Sequence, residues 1–489
     1  MFTKKVINFS NGVDKKRILD NVYLLIMSLY LIRQFFDTTM FHLSWPEWYL
    51  PGVRVSIVLY MVLKVLNKEY KNVWEFVLNS GIMVCMIMIY LSTGYGFFID
   101  IGFLTIEARQ IPYKRILKTC LVIGTIIMGI TILGALTGCI EDLIYDGGNA
   151  RKHAFGIVYT TDFGAHIFFL LSAYLVIREK APGIILSAIM VLVSFTLYRF
   201  SGTRCSSACI LLLVIGGVYV KYTNKILANP IDENKWYKIK WQIIHLFDTC
   251  IALMAPFCAL IMFFLTKYYS STNTLLDKIN NISTGRLELG RLAIEKYGIK
   301  LWGTAFNMIG AGGGNIDYSG YNFIDSSYIL ILVRYGFVLF IITLIGFSWL
   351  SFKAKMSEKR MLLVVLSIVA IQCTVEHHLL EIAYNSFFLL IFSKIVQEER
   401  LMVSERVNRQ YGVKEGCLVV IFAVALWFGY QWLLPLGKTF VTYFSLDEPI
   451  KNVYFIIAAI PFVIIIILMT YMIWKWSISI LESESKKSR

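Results

Sequence analysis

Residues 119–137 read TCLVIGTIIMGITILGALT, an uncharged run entered from Lys114, Arg115 and Lys118. As a helix rising about 1.5 Å per residue, a run of this length nearly crosses a hydrocarbon layer of about 30 Å. In lipid the backbone must satisfy its own hydrogen bonds, so the run is predicted to be a transmembrane helix. Similar runs recur on both sides of it. Their cores fall at 18–32, 49–63, 74–91, 95–107, 161–177, 183–198, 205–220, 244–266, 325–350, 361–375, 379–393, 415–433 and 453–474. With 119–137 they predict an all-α polytopic membrane protein of about 14 transmembrane helices.

Composition agrees. Of 489 residues, 57% are hydrophobic and 16% charged, with a mean hydropathy of +0.65. A soluble domain carries about a quarter charged residues, so this chain has too little polar surface to enclose itself in water. Disorder, collagen repeats and a disulfide scaffold are excluded as well. The nine cysteines include no CxxC pair and lie mostly in apolar runs. They read as small hydrophobes, with no structural disulfide or zinc site. The basic N-terminal stretch lacks a small-residue cleavage site and reads as the flank of an uncleaved first span.

The net charge of +15 is distributed along the chain. The segments 1–17, 64–73, 108–118, 178–182, 221–243, 351–360, 394–414 and 475–489 hold 32 of the 47 Lys and Arg in 112 residues. The alternate segments hold 13 in 128 residues, and Arg54 and Arg334 fall within spans. Cationic loops stay in the cytosol. Both termini are therefore expected to be cytosolic, in a multi-pass protein of a cytoplasmic membrane, and a nucleic-acid partner loses its motivation.

Two of the outer loops are long, 138–160 and 267–324. The second holds Leu287, Leu289, Leu292, Ile294, Tyr297 and Trp302, with near-helical apolar spacing over 284–298. A short amphipathic helix is expected there, followed by a Gly-rich turn at Gly310–Gly314. The chain thus divides into about nine N-terminal helices (1–266), a large extracytoplasmic loop (267–324) and about five C-terminal helices (325–489).

Charged groups on the outer side are few. Arg286 has no acidic neighbour at helical spacing, and its planar fork suits phosphate. Arg291 has Glu288 and Glu295 at that spacing, which favours a surface ion-pair ladder. Arg199 and Arg204 lie in a tight hairpin, and Arg151 precedes Lys152 and His153. These three either snorkel or ring a vestibule with positive charge. Asp325 opens a span, as an N-cap would, and can also act on substrate. Glu376, His377, His378 and Glu381 read as a general base, a sugar-binding pair or interfacial packing. Their spacing supplies too few ligands for a metal. Arg334 lies within a span and must face the bundle interior or snorkel. No DxD, P-loop, HExxH or GxSxG motif occurs.

Three stretches carry a resemblance: Ser283-Thr284-Gly285-Arg286-Leu287-Glu288-Leu289, Asp325-Ser326-Ser327-Tyr328 with Arg334-Tyr335-Gly336, and the Ser201-Gly202-Thr203-Arg204 hairpin. With the many spans and the large outer loop, the chain resembles the Wzy-type polysaccharide repeat-unit polymerases. It departs from the Arg-x10-Gly spacing of some members, because Arg286 to Gly298 and Arg291 to Gly303 each enclose eleven residues.

The resemblance implies a membrane glycosyltransferase without cofactor or metal. Its substrates would be undecaprenyl-pyrophosphate-linked oligosaccharides at the outer face of a bacterial cytoplasmic membrane, in capsule, O-antigen or exopolysaccharide synthesis. Partners would be membrane lipid, a flippase and a chain-length regulator. Arg286, Glu376, His377 and Asp325 would act in catalysis. Arg151, Arg199, Arg204, Arg291, Arg334 and Tyr328 would bind substrate and its pyrophosphate. Two alternatives stand: a lipid-linked oligosaccharide flippase, which should show charges deep along a central cavity and two similar halves, and an O-antigen ligase with a different acceptor. A channel lacks a selectivity motif.

Overall fold

The structure, a computed structural model, describes residues 12–66, 73–146, 151–228, 235–314 and 320–395. The spans expected at 415–433 and 453–474 lie outside the described residues. Fifteen α-helices occur among the described residues. They are α1 (Gly12–Phe36), α2 (Tyr49–Leu66), α3 (Val73–Thr93), α4 (Phe97–Glu107), α5 (Tyr113–Leu136), α6 (Thr160–Arg178), α7 (Ile184–Thr196) and α8 (Arg204–Leu227). Next come α9 (Lys235–Ala252), α10 (Met254–Lys267), α11 (Thr274–Ile282), α12 (Arg286–Tyr297), α13 (Ser327–Leu330), α14 (Phe337–Met356) and α15 (Arg360–Gln372). A two-stranded antiparallel hairpin, β1 (Ile144–Asp146) and β2 (Arg151–His153), pairs Ile144 with His153 and Tyr145 with Lys152. The chain forms two compact units, Met1–Ile231 with Ile251–Ile395, and Asp232–Cys250 with Val396–Arg489. Apart from most of α9, every one of these helices and strands belongs to the first unit.

Six helical stretches among the described residues are long and apolar enough to cross a membrane: Lys16–Phe36, Tyr113–Leu136, Thr160–Arg178, Ile184–Ser201, Arg204–Leu227 and Phe337–Met356. Their outer faces are apolar and open, with Ile184 88%, Leu133 63% and Ile215 64% exposed. Faces of that kind are stable against lipid, not water. This is a membrane protein. The innermost helix is α15, in which every residue from Arg360 to Ala370 is buried. Small residues let the helices approach closely. A Cβ on Gly216 of α8 would lie 2.4 Å from Val364 of α15, and one on Gly124 of α5 would lie 2.8 Å from Leu170 of α6. Asp100 accepts from both Nε and Nη2 of Arg54, at 2.8 and 2.9 Å.

Three expected spans are corrected. The run 244–266 is interrupted at Leu253, between α9 and α10. The run 325–350 is broken rather than continuous. It comprises α13, a π-turn over Ile331–Tyr335 and then α14, with Gly336 at φ +99° between them. The cause is a loop backbone pressed into the break. Thr304 N donates to Arg334 O at 3.0 Å, and Phe337 N to Lys300 O at 3.0 Å. A Cβ on Gly336 would stand 2.4 Å from Gly303 N.

The run 379–393 is not an α-helix. It holds only short 3-10 turns at His378–Leu380 and Phe387–Leu390. Its polar side chains take over hydrogen bonds that a helix would make internally. Asn385 Nδ2 donates to Leu379 O, and Asn385 Oδ1 accepts from Phe387 N. The stretch is almost wholly buried and traverses the bundle, ending where Lys394 N donates to Ile111 O and Tyr113 N to Lys394 O. Basic groups collect at that end. Lys114 and Lys359 both pair with Glu179, and Lys353 Nζ donates to Ser393 O.

Candidate functional site

The connecting segments meet at the other end of the bundle. The Tyr145 hydroxyl of β1 donates to Ala311 O at 3.0 Å, and Gly313 N to Val158 O at 2.8 Å. The Lys152 side chain packs on Gly202, which adopts φ +67°. Cys205 at the start of α8 contacts the Gln372 carbonyl at the end of α15.

The helix expected over 284–298 is α12. It buries Leu287, Gly290, Ala293 and Ile294 on one face, and a Cβ on Gly290 would meet Thr266 of α10 at 2.8 Å. Its first turn is capped from outside the helix, because Asn280 Oδ1 of α11 accepts from Leu287 N and Glu288 N. That cap sets Arg286 at the first helical position. Its Nη1 donates to Ser283 O at 3.0 Å and to Thr284 Oγ1 at 2.6 Å.

The rest of the guanidinium faces two carboxylates from distant parts of the chain. Nε lies 3.5 Å from Asp325 Oδ2, and Nη2 lies 3.7 Å from Glu376 Oε1. Arg286 has no acidic neighbour at helical spacing, yet it is paired through the fold. Those separations are ion pairs, longer than hydrogen bonds. Among the described residues, Arg286 Nε and Glu376 Oε2 have no hydrogen-bond partner. Burial raises the Glu376 carboxyl to about 8 against the opposing pull of Arg286, and it raises Asp325 as well. Two carboxyls around one guanidinium leave an excess negative charge that burial disfavours.

Asp325 is not the cap of α13. Ser326 occupies that position without a side-chain bond, and Asp325 turns to Arg286. Ser327 instead ties the site together. Its hydroxyl donates to Glu376 O at 2.6 Å and accepts from Leu379 N at 3.1 Å. His377 sits beside them, its Nε2 3.6 Å from Glu381 Oε1. Arg286, Asp325, Glu376 and His377 thus form one cluster.

The other expected binding residues divide. Arg151, Arg199 and Arg204 are exposed, with Arg199 lying over the Phe200 ring. Arg291 bonds Glu295 at 2.7 Å and Tyr269 O at 2.5 Å, as an ion-pair ladder would have it. Arg334 donates to the Tyr95 hydroxyl at 2.7 Å and lies 4.2 Å from that ring's centre. Tyr328 is buried in the core, with its hydroxyl donating to Ala370 O at 2.9 Å. It packs the bundle rather than lining the cluster.

Comparison with protein-family models, with curated proteins and with solved structures finds no match.

Sequence reasoning named His378 and Glu381 beside His377 but missed what packs around them from elsewhere in the chain. His378 is fully buried and packs its ring 4.1 Å from that of His377 and 3.9 Å from that of Tyr384. Tyr384 stacks in turn on His166 at 4.1 Å, and His166 on Phe35 at 4.2 Å. Asp162, in the first turn of α6, reaches the far side of His378. An ionisable residue in an otherwise uncharged span is a functional signal, and Asp162 carried it.

Proposed function

We propose that this chain is a membrane glycosyltransferase of the Wzy type, polymerising undecaprenyl-pyrophosphate-linked oligosaccharide units at the outer face of a bacterial cytoplasmic membrane. In this reading the end that carries Arg286 faces outward and the Glu179 end faces the cytosol. The count of about 14 spans and the cytosolic termini belong to the same proposal. One observation carries it: Arg286 is held between Asp325 and Glu376 at one end of an apolar bundle, with an unused donor on the guanidinium and an unused acceptor on Glu376.

A hydroxyl of the incoming unit attacks the anomeric carbon of the growing chain. Its proton passes to Oε2 of the ionised form of Glu376, the form that Arg286 favours, the new C–O bond forms, and the bond to the pyrophosphate oxygen breaks. Undecaprenyl pyrophosphate departs with the bonding pair. The positive charge of the Arg286 guanidinium stabilises the charge gathering on that leaving group, while Asp325, 3.5 Å from Nε, keeps the guanidinium in place. The exposed Arg151, Arg199 and Arg204 draw the diphosphate to the rim.

The test replaces Arg286 by Ala and Glu376 by Gln in cells that make the polymer. Chain extension should fall by at least about 100-fold, with single lipid-linked units accumulating at the outer face. An electrophoretic ladder of unchanged length distribution in both variants overturns the proposal. Accumulation on the cytosolic side identifies a flippase instead.

A further inference from the structure

Asp162, His377 and His378 each present a ligand atom, and these atoms lie within 4.8 Å of one another. The three side chains come from the first turn of α6 and from the turn after α15, so no spacing along the chain brings them together. His378 Nε2 stands 3.6 Å from Asp162 Oδ1, and its other nitrogen, Nδ1, is 3.1 Å from Glu381 Oε2. His377 is arranged in mirror fashion, with Nε2 3.6 Å from Glu381 Oε1. The two remaining ring nitrogens, His377 Nδ1 and His378 Nε2, have no hydrogen-bond partner among the described residues.

This geometry poses an electrostatic problem. If His378 donates Nδ1–H to Glu381, the lone pair on Nε2 points toward a carboxylate oxygen. Two acceptors face each other inside the protein, where no bulk water screens them. A cation between them removes the repulsion. Ligands at about 2.0–2.2 Å on a tetrahedral ion lie about 3.3–3.6 Å apart, which matches the separation of Nε2 from Oδ1. A carboxylate that takes the distal N–H of a metal-bound histidine also fixes its tautomer and plane, and Glu381 does so for His378 at 3.1 Å while lying 3.6 Å from His377 Nε2. The stacked rings of Tyr384 and His166 hold His378 from one side, and Phe323 meets His377 edge-on at 4.9 Å.

We propose that Asp162, His377 and His378 form a binding site for a divalent transition-metal ion, with two imidazoles and one carboxylate best suited to Zn2+ and a further coordination position left for an oxygen ligand. The site shares His377 with the cluster around Arg286, but its test is independent of the polymerase reading, since metal content is measured without substrate.

The full chain, purified in detergent and stripped with a chelator, is to be titrated with Zn2+ and its bound metal measured by mass spectrometry. About one ion per chain is expected. Replacing Zn2+ by Co2+ should give the intense visible bands of a four- or five-coordinate ion. His378→Gln and Asp162→Asn should each weaken Zn2+ binding by at least about 100-fold, and Glu381→Gln by about 10–100-fold. His153→Gln, which alters a histidine bonded to Asp142 elsewhere, should leave it unchanged. Well under one ion per wild-type chain, or full occupancy in all three cluster variants, overturns the proposal. If the variants do not fold, the wild-type Co2+ spectrum decides, and a spectrum of six-coordinate aqueous Co2+ alone overturns it. A proton shared between His378 and Asp162 would produce that negative result.

Discussion

Arg286 Nη2 stands 3.7 Å from Glu376 Oε1, although α13, α14 and α15 separate the two residues in sequence. The contact makes α12 and the turn after α15 walls of one site. A lysine carries the same charge but cannot face Asp325 and Glu376 in two directions while donating to Ser283 O and Thr284 Oγ1. Arg286→Lys should therefore behave nearly as badly as Arg286→Ala in a polymer-length assay. Recovery of the wild-type ladder by lysine would show that charge alone suffices.

The break before α14 needs glycine twice. Gly303 adopts φ +84° with Arg334 O 2.4 Å from where a Cβ would stand, and Gly336 adopts φ +99°. Backbone on both sides leaves nothing flexible to yield. Gly303→Ala and Gly336→Ala should each cost about 2–3 kcal/mol, read as a lowered midpoint in detergent thermal unfolding. Midpoints equal to the wild type would mean that the loop moves out of the break at little cost.

The Arg54–Asp100 pair tests burial of charge in the bundle. Arg54 is partly open, but the Asp100 side chain is only 3% exposed. Removing Arg54 alone leaves the buried Asp100 without its counter-ion, so Arg54→Ala should cost about 3 kcal/mol, the low end for a broken pair because Arg54 is part-exposed. The double variant Arg54→Leu/Asp100→Leu should be less destabilised than either single charge deletion. A double variant that is worse than both would mean that the pair contributes net stability.

At the opposite end, Glu179 accepts from Lys114 at 2.9 Å and Lys359 at 2.8 Å, and from the Tyr113 hydroxyl. Partial burial raises its pKa, but these partners outweigh it and lower the carboxyl to about 2. A depressed folded-state pKa stabilises above the unfolded value near 4.5, and the stabilisation is lost as pH falls toward 2. Glu179→Gln should thus destabilise by about 1 kcal/mol at neutral pH, since the group is part-exposed. The gap from wild type should narrow progressively below about pH 4.5. A gap that is constant down to about pH 3 would contradict the assignment.

The membrane class and most helix positions were legible in sequence, because apolar runs leave local marks, and Arg286, Asp325, Glu376 and His377 stood out singly because charges are scarce on that side. Three features were not. Arg286 seemed unpaired because only neighbours at helical spacing can be read from a string, and its carboxylates arrive from elsewhere in the fold. The partners of Asp162 were hidden for the same reason, since they come after α15. The run 379–393 is as apolar as a span, yet Asn385 and Ser327 satisfy its backbone in another way. Hydropathy measures burial and is blind to whether the buried chain coils.

That unwound stretch has a consequence for how the protein is made. A nascent segment leaves the translocation machinery sideways into lipid only when its amides are already bonded within a helix. Residues 373–395 do not meet that condition alone, so this stretch has to be completed against α4, α5 and α14 after they are in place. A chain stalled shortly after residue 395 should still crosslink to the insertion apparatus through this stretch when α14 no longer does.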